Sequence, residues 1–422
     1  MIVEFSLANY RSFKDLQTLS FLATPLVSDD KTVDEENLVT VDSGQDILKI
    51  SGIYGPNASG KSNLLKGLTF FKEMVDYSQE TENFLRYEIS PFRPTYQKTT
   101  DHGYFQIILS LEGKTYRYGF TLGEGAVIQN EWLFGPAEKN ETFYFKRSGQ
   151  DITFNERFKQ AKTLPYKTNL RADTLFLTFC SSYDVSVPSL IKNFISNRIL
   201  IDGYLPRFRM KTVGEERALT DELVKTGKKD LVLAWLQEAG LTYTDVELRN
   251  VDVGQKSYGT IVLLSKQVKN EKDEMIGTVV MALDEEESQG TRKYYSFIGQ
   301  LVNIFINGGI FVADEMDSNF HPALLKKIIQ LFQNSHINVA RAQLLFSSHD
   351  TNLLKPEIMR RDQFFFTEKT LKEETVLYSL ASLKGIRNNA DFARQYLAGF
   401  YGAMPMLQNY LEENENLMRD RG

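Results

Sequence analysis

The segment Gly52–Leu65, GIYGPNASGKSNLL, constrains this chain more than any other. It sets a polar, glycine-bearing turn between two apolar runs. The preceding ILKISGIYG is apolar and rich in β-branched residues, the pattern of a buried strand. In the following SNLLKGLTFFKEMV, Leu64, Leu65, Leu68, Phe71 and Met74 recur at helical spacing. A strand, a tight turn and a helix are expected in that order. Gly55 to Ser62 reads G-P-N-A-S-G-K-S, the complete pattern of a phosphate-binding loop.

Each residue type in the loop has a physical reason. Glycines let backbone N–H groups turn inward and approach phosphate oxygens closely. The helix N-terminus adds partial positive charge. Lys61 is placed to reach the β and γ phosphates, and the Ser62 hydroxyl to ligate Mg²⁺. Gly55, Asn57, Ala58, Ser59, Gly60, Lys61, Ser62 and Asn63 together form a candidate ATP site.

Hydrolysis needs a metal-orienting acid and a group that activates water. GGIFVADEMDSNFHP, Gly308 to Pro322, offers both at the end of the apolar run IFVA. Ligands bind at strand ends in open α/β sheets. Asp314 is the candidate Mg²⁺ ligand, directly or through water, and Glu315 the candidate base. The plain alternative is a surface pair of strand-end carboxylates. AQLLFSSHD, Ala342 to Asp350, is a second buried-strand pattern, and its closing turn carries His349. That histidine is a candidate γ-phosphate sensor or a turn residue without a role. Between loop and acids, Ile298, Leu301, Val302, Ile304 and Phe305 mark a helical face that stops at Asn307-Gly308-Gly309. Ser288, Gly290 and Thr291 stand at its start, as a second anion site or as a simple helix cap.

A chain of 422 residues is too long for one ordinary core, so two or three units are expected. Residues 1–180 read as the lobe carrying the phosphate loop, 181–250 as a helical insertion with a break at Gly227, and 251–422 as a second lobe. Thr24–Gly44 reads as a solvated loop or arm, and YLEENENLMRDRG at the end as a charged amphipathic helix. A single cysteine, Cys180, excludes an intramolecular disulfide, and four histidines without cysteine partners argue against structural zinc. No apolar run approaches the ~18 residues of a membrane span, and MIVEFSLANYRSF lacks the features of a secretion signal, so a cytoplasmic protein is expected. The net charge of −6 confines nucleic-acid contact to local patches. Arg207, Phe208, Arg209 and Lys211 form one patch; Lys159, Lys162, Lys167 and Arg171 form another. Either could contact phosphate backbones, but the acidic balance of the chain favours reading both as solvated or partner-facing surfaces.

The order of phosphate loop, S-x-G-T helix start, strand with D-E and strand ending in His resembles the ABC-type ATPase heads of the SMC and RecF class. More closely it resembles the RloA-type proteins, stand-alone AAA-family ATP-binding proteins of bacteria. EFSLANYRSFKDLQTLSF, SLEGKTYRYGF, LRADTLFLT, EESQGTRKY, ADEMDSNFHPALL, LLFSSHD, DQFFFTEK and YLAGFYGAMP carry the likeness along nearly the whole chain. The resemblance implies an α/β head of two lobes, a mixed antiparallel β lobe and a parallel-sheet core, with a helical insertion. It implies a homodimer or higher homo-oligomer joined head to tail through ATP. Ser288 and Gly290 would then act on the partner's nucleotide, Glu315 as the base, His349 as the switch histidine, and Asp317–His321 as the loop at the interface. It also implies anti-phage defence or a toxin–antitoxin-like role, with a separately encoded effector such as a TOPRIM-type nuclease or toxin. The signature here is E-S-Q-G-T, unlike that of transporters, and His321 stands where an interface aspartate is usual. Gln106 is a weak candidate for the metal-contacting glutamine, against an outward polar residue of an alternating strand. A nucleotide-gated scaffold and a DNA-repair ATPase remain as alternatives.

Overall fold

Partly alternating strands in the first third of the chain build one sheet, and continuous apolar runs build another. The computed structural model describes residues 1–80, 90–92, 103–136, 141–156, 158–204, 215–252 and 258–405. The first sheet has seven antiparallel strands, in the order Asp151–Phe154, Glu141–Ser148, Ile128–Pro136, Lys114–Leu122, Gly103–Leu111, Ile2–Ala8 and Gln17–Ser20. Along Gly103–Leu111 buried and half-buried residues alternate without a break, so only one face of that strand meets the core.

The second sheet has six strands, in the order Ile199–Ile201, Ile310–Ala313, Gln343–Ser347, Ile50–Tyr54, Phe364–Lys369 and Thr375–Ser379. Its first five strands run parallel, and the last closes a hairpin. Strands Ile50–Tyr54, Ile310–Ala313 and Gln343–Ser347 are buried at every position, as a sheet covered on both faces requires. Side-chain alternation divides that burial. Ile53 joins the cluster around helix Lys61–Tyr77, while Ile50 and Tyr54 join the cluster around helices Gln289–Asn307 and Pro322–Gln333.

Helix Lys61–Tyr77 ties the two sheets together. Phe71 stacks on Phe120 at 5.3 Å and meets Phe5 edge-on at 5.9 Å. Gln343 joins the sheets directly: its side chain accepts from Ile2 N (2.7 Å) and donates to Ile2 O (2.9 Å). On the opposite face Phe297 packs on Phe311 at 4.9 Å and Phe305 on Phe332 at 4.8 Å. A separate three-stranded antiparallel sheet, Asp245–Asp252, Tyr258–Lys269 and Met275–Ala282, leads into the Gln289–Asn307 helix. No helix among the described residues is long and apolar enough to cross a membrane.

Two segments differ from their sequence expectation. Strand Ile199–Ile201 lies within 181–250 yet pairs in parallel with Ile310–Val312, at the edge of the central sheet. Helix Ser186–Arg198 before it packs on the loop helix, where Lys72 Nζ donates to Ile195 O at 3.1 Å. A strand of three residues is too short to show a period. The arm 24–44 is not a free loop either. It contains helix Lys31–Asn37, and Asp34 pairs with the buried Arg360, which also bonds Asp362 (2.8 Å), Thr24 O and Leu26 O. The helices expected after 201 are present as Ala218–Lys225 and Lys229–Glu238, separated by Gly227 at φ +80°. The charged tail lies outside the described residues.

Candidate functional site

Strand Ile50–Tyr54 delivers the chain to the carboxyl edge of the parallel sheet, where it must reverse into a helix without a gap. Gly55 (φ +150°), Ala58 (φ +62°) and Gly60 (φ +118°) make that reversal. A Cβ on Gly55 would lie 2.5 Å from Thr367 O, and one on Gly60 would collide with the Thr375 side chain. Glycine is therefore required twice, by backbone angle and by space. Ser59 shares a hydrogen bond with Thr367 (Oγ···Oγ1, 2.6 Å), and the Thr375 hydroxyl lies 2.8 Å from Ser59 O. Ser12 completes this backing, 2.8 Å from both Thr375 Oγ1 and Asn63 Nδ2. Asn57 and Ala58 are exposed and Ser62 half-buried, so the outer rim of the loop is open.

Lys61 folds back over this loop. Its Nζ donates to Gly55 O (2.7 Å) and Pro56 O (3.1 Å). Burial pushes its ammonium below the usual lysine range, and Asp314, Glu315 and Asp317 offset part of that shift. The loop lysine and the three carboxylates thus share one electrostatic neighbourhood, although about 250 residues separate them in sequence.

Sheet order explains the meeting. Strand Gln343–Ser347 lies between the loop strand and the Asp-Glu strand, all three running parallel. Ser347 at its end bridges them: its hydroxyl donates to Asp314 Oδ1 (2.5 Å) and accepts from Glu315 N (2.7 Å). Met316 N donates to Ser347 O at 2.9 Å, so the acidic turn is held by both the side chain and the backbone of one serine. Glu315 is exposed, in left-handed backbone at φ +47°.

His349 stands exposed in the next turn, and its backbone N–H donates to Asp317 Oδ2 at 3.1 Å. Asp317 Oδ1, Asp350 Oδ2 and the Tyr54 hydroxyl are buried without a hydrogen-bond partner among the described residues. His321 caps helix Pro322–Gln333, its Nδ1 accepting from Ala323 N at 3.2 Å.

Ser288 caps helix Gln289–Asn307, accepting from Thr291 N at 3.1 Å. It is exposed, and neither of its side-chain hydrogen bonds reaches the phosphate loop of its own chain. The turn rests on the acidic loop instead: a Cβ on Gly290 would lie 2.5 Å from Asn319 O. Lys293, one turn along, reaches Glu315 O and Ser318 O at 3.3 Å each and lies over the rings of Phe297 and Phe320.

The remaining candidates lie elsewhere or have structural partners. Gln106 sits in the antiparallel sheet and accepts from Trp132 Nε1 (3.1 Å) and Arg117 (3.3 Å). Arg171 bonds Asp173 and the terminal carbonyls Ser78 O and Glu80 O, capping the loop helix. Lys159, Lys162 and Lys167 are exposed. Arg207, Phe208, Arg209 and Lys211 lie outside the described residues. Ser12, Thr367, Thr375 and Ser347 escaped the sequence reading, since a lone Ser or Thr in or beside a buried strand carries no motif.

A glycine cradle that a Cβ would fill, a lysine at its centre and hard oxygen donors opposite fit a nucleoside triphosphate with Mg²⁺. Ser62 and Asp314 are the side chains suited to the metal. Fold and site together define a P-loop ATPase head. Residues 50–355 match the family model described as "AAA domain, putative AbiEii toxin, Type IV TA system", and the chain belongs to that family. The structure is similar to an SMC head bound to the C-winged-helix domain of ScpA, at 10% identity and TM-score 0.43, covering 90% of this chain and 97% of that one. It is similar to the SMC head domain from Thermotoga maritima, at 11% identity and TM-score 0.37, covering 90% and 98%. It is also similar to the SMC head with coiled coil and joint from Pyrococcus yayanosii, at 8% identity and TM-score 0.40, covering 94% and 99%. No curated protein matches the chain by sequence.

Proposed function

We propose that the protein binds and hydrolyses Mg–ATP, pairs head to tail with a second copy through the nucleotide, and so controls a separately encoded effector. The observation that carries this reading is the meeting of Lys61 with Asp314, Glu315 and Asp317 at the carboxyl edge of the parallel sheet, beside the glycine cradle. Backbone N–H groups of Gly55–Ser62 and the Lys61 ammonium would hold the phosphates. Mg²⁺ between Ser62 and Asp314 would neutralise charge on the transferring phosphoryl group. Glu315, exposed at the rim, would orient or deprotonate the attacking water, and His349 would contact the γ-phosphate.

The exposed Ser288 cap supports a paired site. Its helix N-terminus carries partial positive charge, and Ser288 and Gln289 there are exposed. A second copy would supply the phosphate. The matching family description names a putative toxin of a type IV toxin–antitoxin system; to that we add, as part of the proposal, an anti-phage or toxin–antitoxin-like setting with a TOPRIM-type nuclease or a toxin as the partner class.

Solution mass with and without Mg–ATP tests this reading, on wild type and Glu315→Gln, beside phosphate release. The expected result is a larger ATP-dependent species for Glu315→Gln with release abolished, and loss of that species in Ser288→Arg. Mass and release that ignore both nucleotide and Glu315 would overturn it in favour of a nucleotide-gated scaffold.

A further inference from the structure

Glu315, the exposed acid at the end of the Asp-Glu strand, stands in left-handed backbone at φ +47°. A residue with a side chain keeps that conformation only where its surroundings hold it there. The fold grips Glu315 by its main chain, on both sides. Its N–H donates to the Ser347 hydroxyl at 2.7 Å. Its carbonyl accepts from Ser318 N at 2.8 Å and from Lys293 Nζ at 3.3 Å. Ser347 ends the neighbouring strand and Ser318 lies in the same turn. Of the three, only Lys293 reaches in from another layer, helix Gln289–Asn307.

Lys293 is poorly explained as a solvated lysine. It is half-buried, and its ammonium also donates to Ser318 O at 3.3 Å. It lies over the ring of Phe297, four residues along its own helix, at 5.7 Å, and over that of Phe320, on the acidic loop, at 5.4 Å. Carbonyl oxygens and ring faces all present negative potential to a cation, and an ammonium has three protons to donate, enough for both carbonyls. The helix does not depend on this contact for its packing, since Tyr294, Tyr295, Phe297 and Ile298 are buried beside it. Three residues earlier the same helix meets the same loop again, where a Cβ on Gly290 would lie 2.5 Å from Asn319 O.

We propose that Lys293 is a positioning residue: its ammonium clamps the carbonyls of Glu315 and Ser318 to the signature helix and so fixes the orientation of Glu315 for hydrolysis. Lys293 touches neither nucleotide nor water in this scheme; it acts through Glu315. Ser347 holds one end of the strained residue and Lys293 the other. Because Gly290 lies within the first turn of the same helix, the clamp also makes the orientation of Glu315 depend on where the signature turn sits.

The inference rests on the ATPase reading, and the test separates the two. Lys293→Met keeps an apolar stem over both rings and removes the donors, while Lys293→Arg keeps charge and donors. The expected result for Lys293→Met is a melting temperature within about 2 °C of wild type, ATP affinity within about 3-fold, and kcat lower by about 10-fold. Lys293→Arg is expected to recover kcat to within about 3-fold of wild type. Amide hydrogen exchange, which needs no turnover, is expected to rise in peptides covering 314–320 of Lys293→Met and not of Lys293→Arg. Ser347→Ala in the Lys293→Met background is expected to add less than it costs alone, because both side chains hold one residue. The larger ATP-dependent species of Glu315→Gln is expected to persist when Lys293→Met is added. Lys293→Met equal to wild type in kcat and in exchange overturns the inference and leaves the ATPase reading intact. A much lower melting temperature, or loss of the larger species, also overturns it, by making the lysine a stabilising or a pairing residue. If wild type neither binds nor hydrolyses ATP, the ATPase reading fails, and the exchange result alone decides whether Lys293 holds the loop.

Discussion

Ser347→Ala removes one buried oxygen that serves two partners. Its hydroxyl donates to Asp314 Oδ1 at 2.5 Å and accepts from Glu315 N at 2.7 Å. A hydrogen bond to a charged group contributes about 1.5–3 kcal/mol net. If that energy serves to align Asp314 and Glu315 during hydrolysis, its loss slows kcat by roughly 10- to 150-fold, at ~1.4 kcal/mol per decade. In the proposed site nucleotide affinity would rest on the loop N–H groups and Lys61, to which Ser347 makes no side-chain hydrogen bond, so affinity should stay within about 3-fold. Phosphate release against ATP and against Mg²⁺ measures both terms, and a thermal melt confirms that the variant is folded. Unchanged kcat would refute the bridging role. A parallel fall in affinity would show instead that the serine supports the loop itself.

Three further outcomes follow from the packing. Burial pushes Asp202 from an ordinary 3.8 up to about 6; Lys293 opposes the rise, and Glu216 and Asp314 add to it. The folded state then holds this proton more tightly than the unfolded state, so stability falls as pH rises from about 4 to 6. Asp202→Asn should flatten that slope and gain up to about 2–3 kcal/mol at pH 7.5, read from melts across the window. Arg360→Ala leaves the carboxylate of Asp362, 3% exposed, without its cation and removes the ion pair of Asp34; a cost of about 3–5 kcal/mol and new tryptic cleavage at Lys31 are expected. Gly290→Ala drives a Cβ toward Asn319 O, so hydrolysis should drop while equilibrium ATP binding is retained, measured side by side.

Much of this site is legible from local pattern. The strand, loop and helix around Gly55–Ser62 each announce themselves by period and residue type within a dozen residues, and the structure places them at Ile50–Tyr54 and Lys61–Tyr77. The short apolar runs before Asp314 and His349 are likewise buried strands, Ile310–Ala313 and Gln343–Ser347. What the sequence hides is contact across long separations. Thr367 and Thr375 shape the loop from more than 300 positions away. The arm at 24–37 is secured by an arginine at 360, so its polar composition suggests solvent where the fold provides an ion pair. Ser288 shows a different limit. Its cap geometry is plain in the structure, but a cap and an anion site use the same exposed N–H groups, and a single chain satisfies only the first.

The loop from Asp314 to His321 is where the two halves of the proposed mechanism meet. On one side it touches the signature turn, where Gly290 leaves no room for a side chain beside Asn319 and Lys293 reaches the carbonyls of Glu315 and Ser318. On the other side it holds the His349 turn through Asp317 and the Asp314 carboxylate through Ser347. In a head-to-tail pair the signature turn would face the partner's nucleotide, while Glu315 and His349 would face the chain's own. A shift of the signature turn toward the acidic loop would press on Asn319 O, which leaves no room even for a Cβ at Gly290, and through it on the backbone next to Glu315. Each head would then sense its partner's nucleotide through the same few residues that hydrolyse its own. In the proposed pair such a loop would couple the two sites, as a clamp would need if its opening is to release an effector all at once.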